Sequence, residues 1–125
     1  MSTPSSIPAV PADHHQRLQQ SARDNLWLHF SRMGAYQNGA EIPIIVRGDG
    51  CHVWDDAGNR YFDGLSALFC VNIGHGRADV AQAGAKQAEE LGFFTNWSYA
   101  HPRSIELAAR IADLAPGDLN RVFFT

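Results

Sequence analysis

Apolar residues return at helical spacing in three stretches of the chain. The first stretch covers residues 13 to about 33, and Asp13 can cap its start. The second runs from about 77 to 91, where small and apolar residues share one helix face. The third runs from 102 to about 115 and begins with Pro102, which suits a first helical turn. The pattern therefore predicts three helices.

Between the first two predicted helices the pattern changes from helical to extended. Residues 42–47 are rich in β-branched side chains, and Asp49-Gly50 is a strong hairpin signal. Residues 51–55 continue as an extended segment, and a second turn at 56–59 leads into 60–63. We therefore predict three short antiparallel strands joined by tight turns.

The remaining segments differ in composition. Residues 1–12 contain three of the six prolines and almost no charge, which predicts a mobile tail. Residues 64–77 are apolar and then punctuated by glycine, and we expect them to cross the interior as irregular backbone. Residues 121–125 show the pattern of a buried strand with no turn or cap behind it. We therefore expect that the chain was cut from a longer domain.

The composition narrows the classes of function. The 125 residues carry a formal charge of −3, which gives no basic field for nucleic acid or an anionic membrane. No apolar run reaches the roughly 18 residues of a membrane helix, and the N-terminus lacks the layout of a signal peptide. Cys51 and Cys70 have no zinc-type spacing, and we expect two reduced thiols in or near the core of a cytoplasmic protein.

No catalytic motif emerges from residue spacing alone. The six histidines lack the spacing of a metal site, and no serine lies in the G-x-S-x-G pattern of a hydrolase. Gly74-His75-Gly76 resembles the start of a phosphate-binding loop, but the third glycine is missing. His75 could bond to backbone at a tight turn or line a pocket. Many aromatic residues lie outside regular structure, which fits either core and interface packing or the apolar wall of a pocket.

Residues 50–63, GCHVWDDAGNRYFD, resemble the G-x-x-[VL]-[WY]-D-x-x-G-x-[RK]-Y-x-D signature of class III pyridoxal-phosphate-dependent aminotransferases. Residues 64–77 are similar to the glycine-rich crossing that follows in that family and ends in GH or GY. The resemblance covers about residues 24–125. The LFCVNIGHGR segment is most similar to the ω-amino acid:pyruvate or amine:pyruvate branch.

The resemblance implies a fold. The chain would be the α+β N-terminal segment of an aspartate-aminotransferase-like α/β fold. Residues 13–76 would contribute a helix, a β-meander and a crossing to the small domain. Residues 77–125 would contribute the first helices and the first strand that lead into the large cofactor-binding domain, which this chain would contain only in part.

The resemblance also implies an activity for the parent protein. Such enzymes use pyridoxal phosphate to transfer an amino group from an ω-amino acid or amine to a keto acid such as pyruvate, and the parent is expected to be a homodimer or tetramer. The family's phosphate loop and cofactor-holding lysine come after the position of Thr125, so no catalytic or cofactor-binding residue is expected here. Lys86, the single lysine, falls on the polar side of the second helix. We expect the 125 residues alone to be inactive.

The resemblance places four substrate-binding candidates in the chain. Phe69 stands where amine transaminases usually carry tryptophan, and with Leu68 it would wall the pocket that sorts small from large substituents. Phe30 and Trp97 are further candidates for that wall. Phenylalanine predicts somewhat more room than tryptophan, and a methylene-sized change is worth on the order of 1–3 kcal/mol of discrimination.

Two alternatives stay open at this point. The first is another class III activity, of the ornithine, acetylornithine, 4-aminobutyrate or diaminopelargonate type. The residues that would distinguish these activities lie downstream in the family. The chain could instead be a non-catalytic module whose exposed aromatic residues bind a partner or close a dimer, because it holds no catalytic machinery of its own.

Overall fold

A computed structural model describes residues 6–125, which form two units divided after Arg77. The first unit contains two helices, a small sheet and a short turn, and the second contains two helices. Within the described range, no helix combines the length and the apolar character needed to cross a bilayer. Residues 1–5 of the predicted tail lie outside the described residues.

The start of the first helix differs from its prediction. α1 spans Ala12–Asn25, so Asp13 lies inside the helix and is not its cap. Just before the helix, the N–H of Val10 donates a hydrogen bond of 2.9 Å to the carbonyl of Asp56. The mobility of residues 1–12 stays a prediction.

The first helix is also shorter than predicted. It ends at Asn25 because Leu26 adopts extended geometry, and α2 (Met33–Gln37) is a separate short helix. The prediction of one helix over 13–33 is therefore wrong. Helices in proteins are stabilised mainly by burying an apolar face, and the apolar side chains that follow α1 remain exposed.

The three predicted strands are confirmed, with bounds shifted by a few residues. β1 (Ile45–Asp49), β2 (His52–Asp55) and β3 (Arg60–Phe62) form an antiparallel sheet in the order β1-β2-β3. Asp49 pairs with His52 on either side of the first turn. The hairpin signal in the sequence therefore lies where the sheet turns.

The buried core of the first unit is small. Trp54 on β2 is fully buried, at 0% exposure, and Ile42 before the sheet is buried too. Gln19 of α1 is also buried, and its side-chain amide donates to the carbonyl of Ile42 at 2.8 Å and accepts from its N–H at 3.0 Å. Cys51 and Cys70 are free and exposed. The prediction that they lie in or near the core is wrong, because this core is too small to cover them.

Residues 64–77 do not follow their predicted path. They are irregular apart from a β-bridge at His75 and one short turn, α3 (Ser66–Phe69). None of them is buried, so the prediction that they cross the interior is wrong within this chain. The described residues supply no apolar layer that covers this segment.

The second unit contains the other two predicted helices. α4 spans Ala78–Leu91, and α5 spans Pro102–Leu114 with its proline in the first turn. Residues 121–125 form neither helix nor strand, so the predicted core strand is absent from the described structure. A strand needs a partner edge, and none of the described strands belongs to this unit.

Candidate functional site

The four predicted substrate-binding residues lie in three places. Leu68 and Phe69 are neighbours in α3, with 59% and 70% of their surfaces exposed. Phe30 is fully exposed in the segment after α1, and Trp97, 84% exposed, lies in the second unit. Among the described residues no aromatic contact links Phe30 with Phe69. The structure therefore brings together Leu68 and Phe69, through their adjacency in one turn.

The turn α3 is left-handed. Its four residues, in chain order from Ser66 to Phe69, have φ angles of 49°, 48°, 62° and 67°. An L-residue in a left-handed helix costs roughly 1–2 kcal/mol, and residues other than glycine normally enter this region singly. Strain of this kind persists only where surrounding contacts enforce it, and it is concentrated at functional sites.

Asp63, just after β3, supplies one of these contacts. Its carboxylate accepts the N–H of Ala67, with nitrogen–oxygen distances of 2.9 and 3.1 Å. Hydrogen bonds from His75 and from Ala67 hold the pKa of the Asp63 carboxyl below its usual value, because they favour the ionised form. Asp63 is therefore a charged acceptor at the second residue of the left-handed turn.

His75 connects this carboxylate to the sheet. Its Nε2 lies 2.7 Å from Oδ2 of Asp63 and acts as the donor, because an ionised carboxylate only accepts. Its backbone N–H and carbonyl exchange hydrogen bonds of 2.8 and 3.1 Å with Gly50. Its ring also lies against β1, where a Cβ added to Gly48 would be 2.5 Å from the ring carbon Cγ. The backbone bonds to Gly50 and the contact with β1 thus fix the position of the imidazole relative to the sheet.

The pairing of Asp63 with His75 was not predicted from the sequence. For His75 we expected a backbone hydrogen bond or a place in a pocket wall, whereas its ring is bonded to a carboxylate 12 residues earlier. A signal was present, since Asp63 ends the segment that carries the family signature and His75 lies near the end of the glycine-rich segment after it. Spacing alone did not show that the two meet.

Lys86, the single lysine of the sequence, does not fit the role of the lysine that holds pyridoxal phosphate. Lys86 is exposed on α4, and it shares an open groove with the polar side chains of Gln87, Glu90 and Arg103. An ammonium in that position stays hydrated and is not activated by desolvation into a nucleophile. No step of cofactor chemistry is therefore assigned to these residues.

Known proteins resemble most of this chain. The profile of the family described as Aminotransferase class-III matches residues 35–125. A probable aminotransferase of Mycobacterium tuberculosis is 56% identical over 108 residues, which cover 86% of this chain and 22% of that protein. An omega-amino acid–pyruvate aminotransferase of Pseudomonas putida is 43% identical over 98 residues, which cover 78% of this chain and 22% of that protein.

A solved structure agrees with these relatives. A thermostable (S)-enantioselective omega-transaminase from Thermomicrobium roseum matches with a TM-score of 0.80 and 36% identity, covering 91% of this chain and 25% of that one. The match confirms the predicted α+β segment of a transaminase fold. The chain spans about a fifth to a quarter of the length of these proteins.

Proposed function

The chain belongs to the class-III aminotransferase family, and from this premise we propose that it is the N-terminal part of a pyridoxal-phosphate-dependent transaminase. The observation that carries the proposal is the continuous family match over residues 35–125, on a chain with the matching α+β fold. When bound, the cofactor carries the amino group between donor and acceptor. Its site is proposed to lie in a part of the protein outside these 125 residues.

The proposed donor is an ω-amino acid or amine, and the proposed acceptor is a keto acid such as pyruvate. A relative named for omega-amino acid–pyruvate transfer and a neighbour named as an omega-transaminase support this choice. Relatives named for putrescine–pyruvate transfer and for adenosylmethionine-8-amino-7-oxononanoate transfer also match. The resemblance of the LFCVNIGHGR segment to the ω-amino acid or amine branch supports the first of these choices.

The proposed wall of the amine pocket is formed by Leu68 and Phe69, with Phe30 and Trp97 as further candidates. All four side chains are largely exposed, so their apolar surface is available to a substrate or to the rest of the protein. The first two also stand on a backbone turn that hydrogen bonds hold in place. A wall on fixed backbone discriminates by shape better than one on a mobile loop.

The parent is further proposed to be a cytoplasmic homodimer or tetramer. Large apolar side chains such as Trp27, Phe93 and Phe123 are exposed in the described chain, and surfaces of this kind usually mark interfaces. The same exposure favours a second candidate function, a non-catalytic module that binds a partner through its aromatic residues. Cooperative folding of the chain alone would distinguish this module from an incomplete enzyme.

The proposal is tested first by the coding sequence that follows Thr125. We expect it to encode a loop of the Ser-Gly-Ser/Thr-Glu type at a helix N-terminus, where backbone N–H groups can bind the cofactor phosphate. A lysine suited to hold the cofactor is expected further downstream. A coding sequence that ends at Thr125, or that continues without such a loop, would contradict the proposal.

A further inference from the structure

Leu68 and Phe69 stand on a backbone conformation that is unfavourable on its own. With no glycine among its four residues, the turn Ser66–Phe69 carries a left-handed penalty at every position. Hydrogen bonds within the segment offset part of it, including one of 2.8 Å from the N–H of Phe69 to the carbonyl of Leu65. These bonds lie within the segment itself, so they do not fix the position of the turn relative to the sheet.

Among the described contacts, the carboxylate of Asp63 is the one that links the turn to the sheet through a second side chain. It accepts from Ala67, the residue just before Leu68, and it accepts from His75 at the same time. The side chains of His75 and Asp63 are only 19% and 13% exposed, so water competes weakly for their bond. Since His75 is also tied to the sheet through Gly50, the carboxylate holds the turn at a fixed place relative to the sheet.

We propose that Asp63 and His75 are positioning residues for the left-handed turn. Their hydrogen bond fixes the directions in which Leu68 and Phe69 project, and these directions set the size of amine side chain that the pocket accepts. The inference rests on the proposed function of Leu68 and Phe69 as the pocket wall. Neither positioning residue is assigned contact with the substrate.

The chain contains a matched control for this role. Asp55, at the end of β2, also accepts the backbone N–H of the residue four positions later, Asn59, at 2.8 Å. It also accepts from the hydroxyl of Tyr61 at 2.7 Å. Asp55 makes no hydrogen bond to the left-handed turn among the described contacts. Asp55→Asn therefore removes a comparable charge and weakens a comparable turn contact while leaving the proposed wall in place.

The test uses the full-length enzyme and two amine donors that differ in size but not in charge, propylamine and benzylamine, with pyruvate as acceptor. For each variant, kcat and KM are measured for both donors, and the ratio of the two kcat/KM values reports size selectivity. Asp63→Asn is expected to change the ratio of the two kcat/KM values by about tenfold, in the direction of equal use of both donors. The reason is that a displaced wall no longer discriminates by shape. Asp55→Asn is expected to leave the ratio within about twofold of the wild type.

The position of Phe69 allows a second, internal check. If Asp63 acts through this wall, Asp63→Asn should change the ratio little in a Phe69→Ala background, since the two substitutions then remove the same effect. Additive effects of the two substitutions would overturn the inference. The inference would also be overturned if the wild-type enzyme is active and Asp63→Asn lowers kcat/KM equally for both donors. A wild-type enzyme that forms no alanine from any ω-amino acid or amine would instead refute the proposed function, and the inference with it.

Hydrogen exchange gives a readout that does not depend on activity. In the folded full-length enzyme, His75→Asn is expected to speed exchange of the amides from Ala67 to Val71, while the Asn59 amide keeps its wild-type rate. If Asp63→Asn does not yield folded protein, His75→Asn decides the question with the same donor ratio. Unchanged exchange and an unchanged ratio in that variant would contradict a positioning role.

Discussion

Nδ1 of His15 on α1 lies 2.6 Å from Oδ2 of Asp56, in the turn between β2 and β3. The two residues are 41 positions apart, so the bond ties the first helix to the sheet. The other ring nitrogen of His15, Nε2, lies 3.5 Å from Oε1 of Glu41. The hydrogen bond with Asp56, together with the nearby Glu41 charge, raises the pKa of His15 above its usual value.

This pair predicts a stability that depends on pH. A folded-state pKa above the unfolded value means that protonated His15 stabilises the fold fully below about pH 6.5, and that this contribution is lost as the pH rises through the folded pKa. In the full-length enzyme, the difference in Tm between wild type and His15→Gln should therefore be larger at pH 6 than at pH 9. The exposed neighbour His14, changed to Gln, is the control. A difference that grows as the pH rises would contradict this assignment.

Gly48 and His75 should be energetically coupled. A Cβ at position 48 would lie 2.5 Å from the His75 ring, so Gly48→Ala should displace the ring and lower the free energy of unfolding by about 1–3 kcal/mol. In a His75→Gly background the same substitution should cost much less, because both the ring and the His75 Cβ, which would lie 2.7 Å from the new methyl group, are gone. Denaturant unfolding of the four proteins in this cycle measures the coupling. If Gly48→Ala lowers the free energy of unfolding equally in both backgrounds, the His75 side chain does not lie against Gly48.

Lys86 should be dispensable for catalysis. It is exposed on α4, so Lys86→Arg in the full-length enzyme should keep kcat within about twofold of the wild type. The 125-residue chain and its Lys86→Arg variant, each mixed with pyridoxal phosphate, should likewise show the same absorbance spectrum. A stable band that depends on Lys86 is not expected. A loss of activity by a factor of about a hundred or more in the variant would instead place this lysine in the catalytic machinery.

The 125-residue chain alone should not melt cooperatively. Within the described residues, Ile42 and Trp54 are the large apolar side chains that are buried, while residues such as Phe69 and Phe123 are exposed. A core of this size offsets little of the entropy lost on folding. We expect a broad thermal transition by circular dichroism and strong binding of the dye ANS. A sharp transition in a monodisperse sample would support the binding-module alternative.

Local chemistry explains which parts of the fold could be predicted from the sequence. The hairpin at Asp49-Gly50 and the helix that starts at Pro102 depend on residues next to one another, so the sequence pattern was sufficient. The helix predicted through Phe30 and the strand predicted at 121–125 failed for a common reason. Each needs a surface or an edge to pair with, and the described chain does not supply it.

The candidate site shows the same division between local and distant effects. Exposed Leu68 and Phe69 could be singled out because they stand in a recognisable sequence pattern. Their left-handed backbone could not be predicted, since four residues without glycine favour the right-handed region. The geometry depends on Asp63 and His75, which meet only after the sheet has brought their segments together.

The proposed transaminase activity is tested by asking whether the full-length enzyme transfers amino groups to pyruvate. Purified protein with added pyridoxal phosphate is incubated with pyruvate and an ω-amino acid or amine, such as β-alanine, and alanine is measured by chromatography. We expect alanine to form in equal amount to the donor consumed, and only when donor, pyruvate and enzyme are all present. A folded enzyme loaded with cofactor that forms no alanine from any ω-amino acid or amine would contradict it.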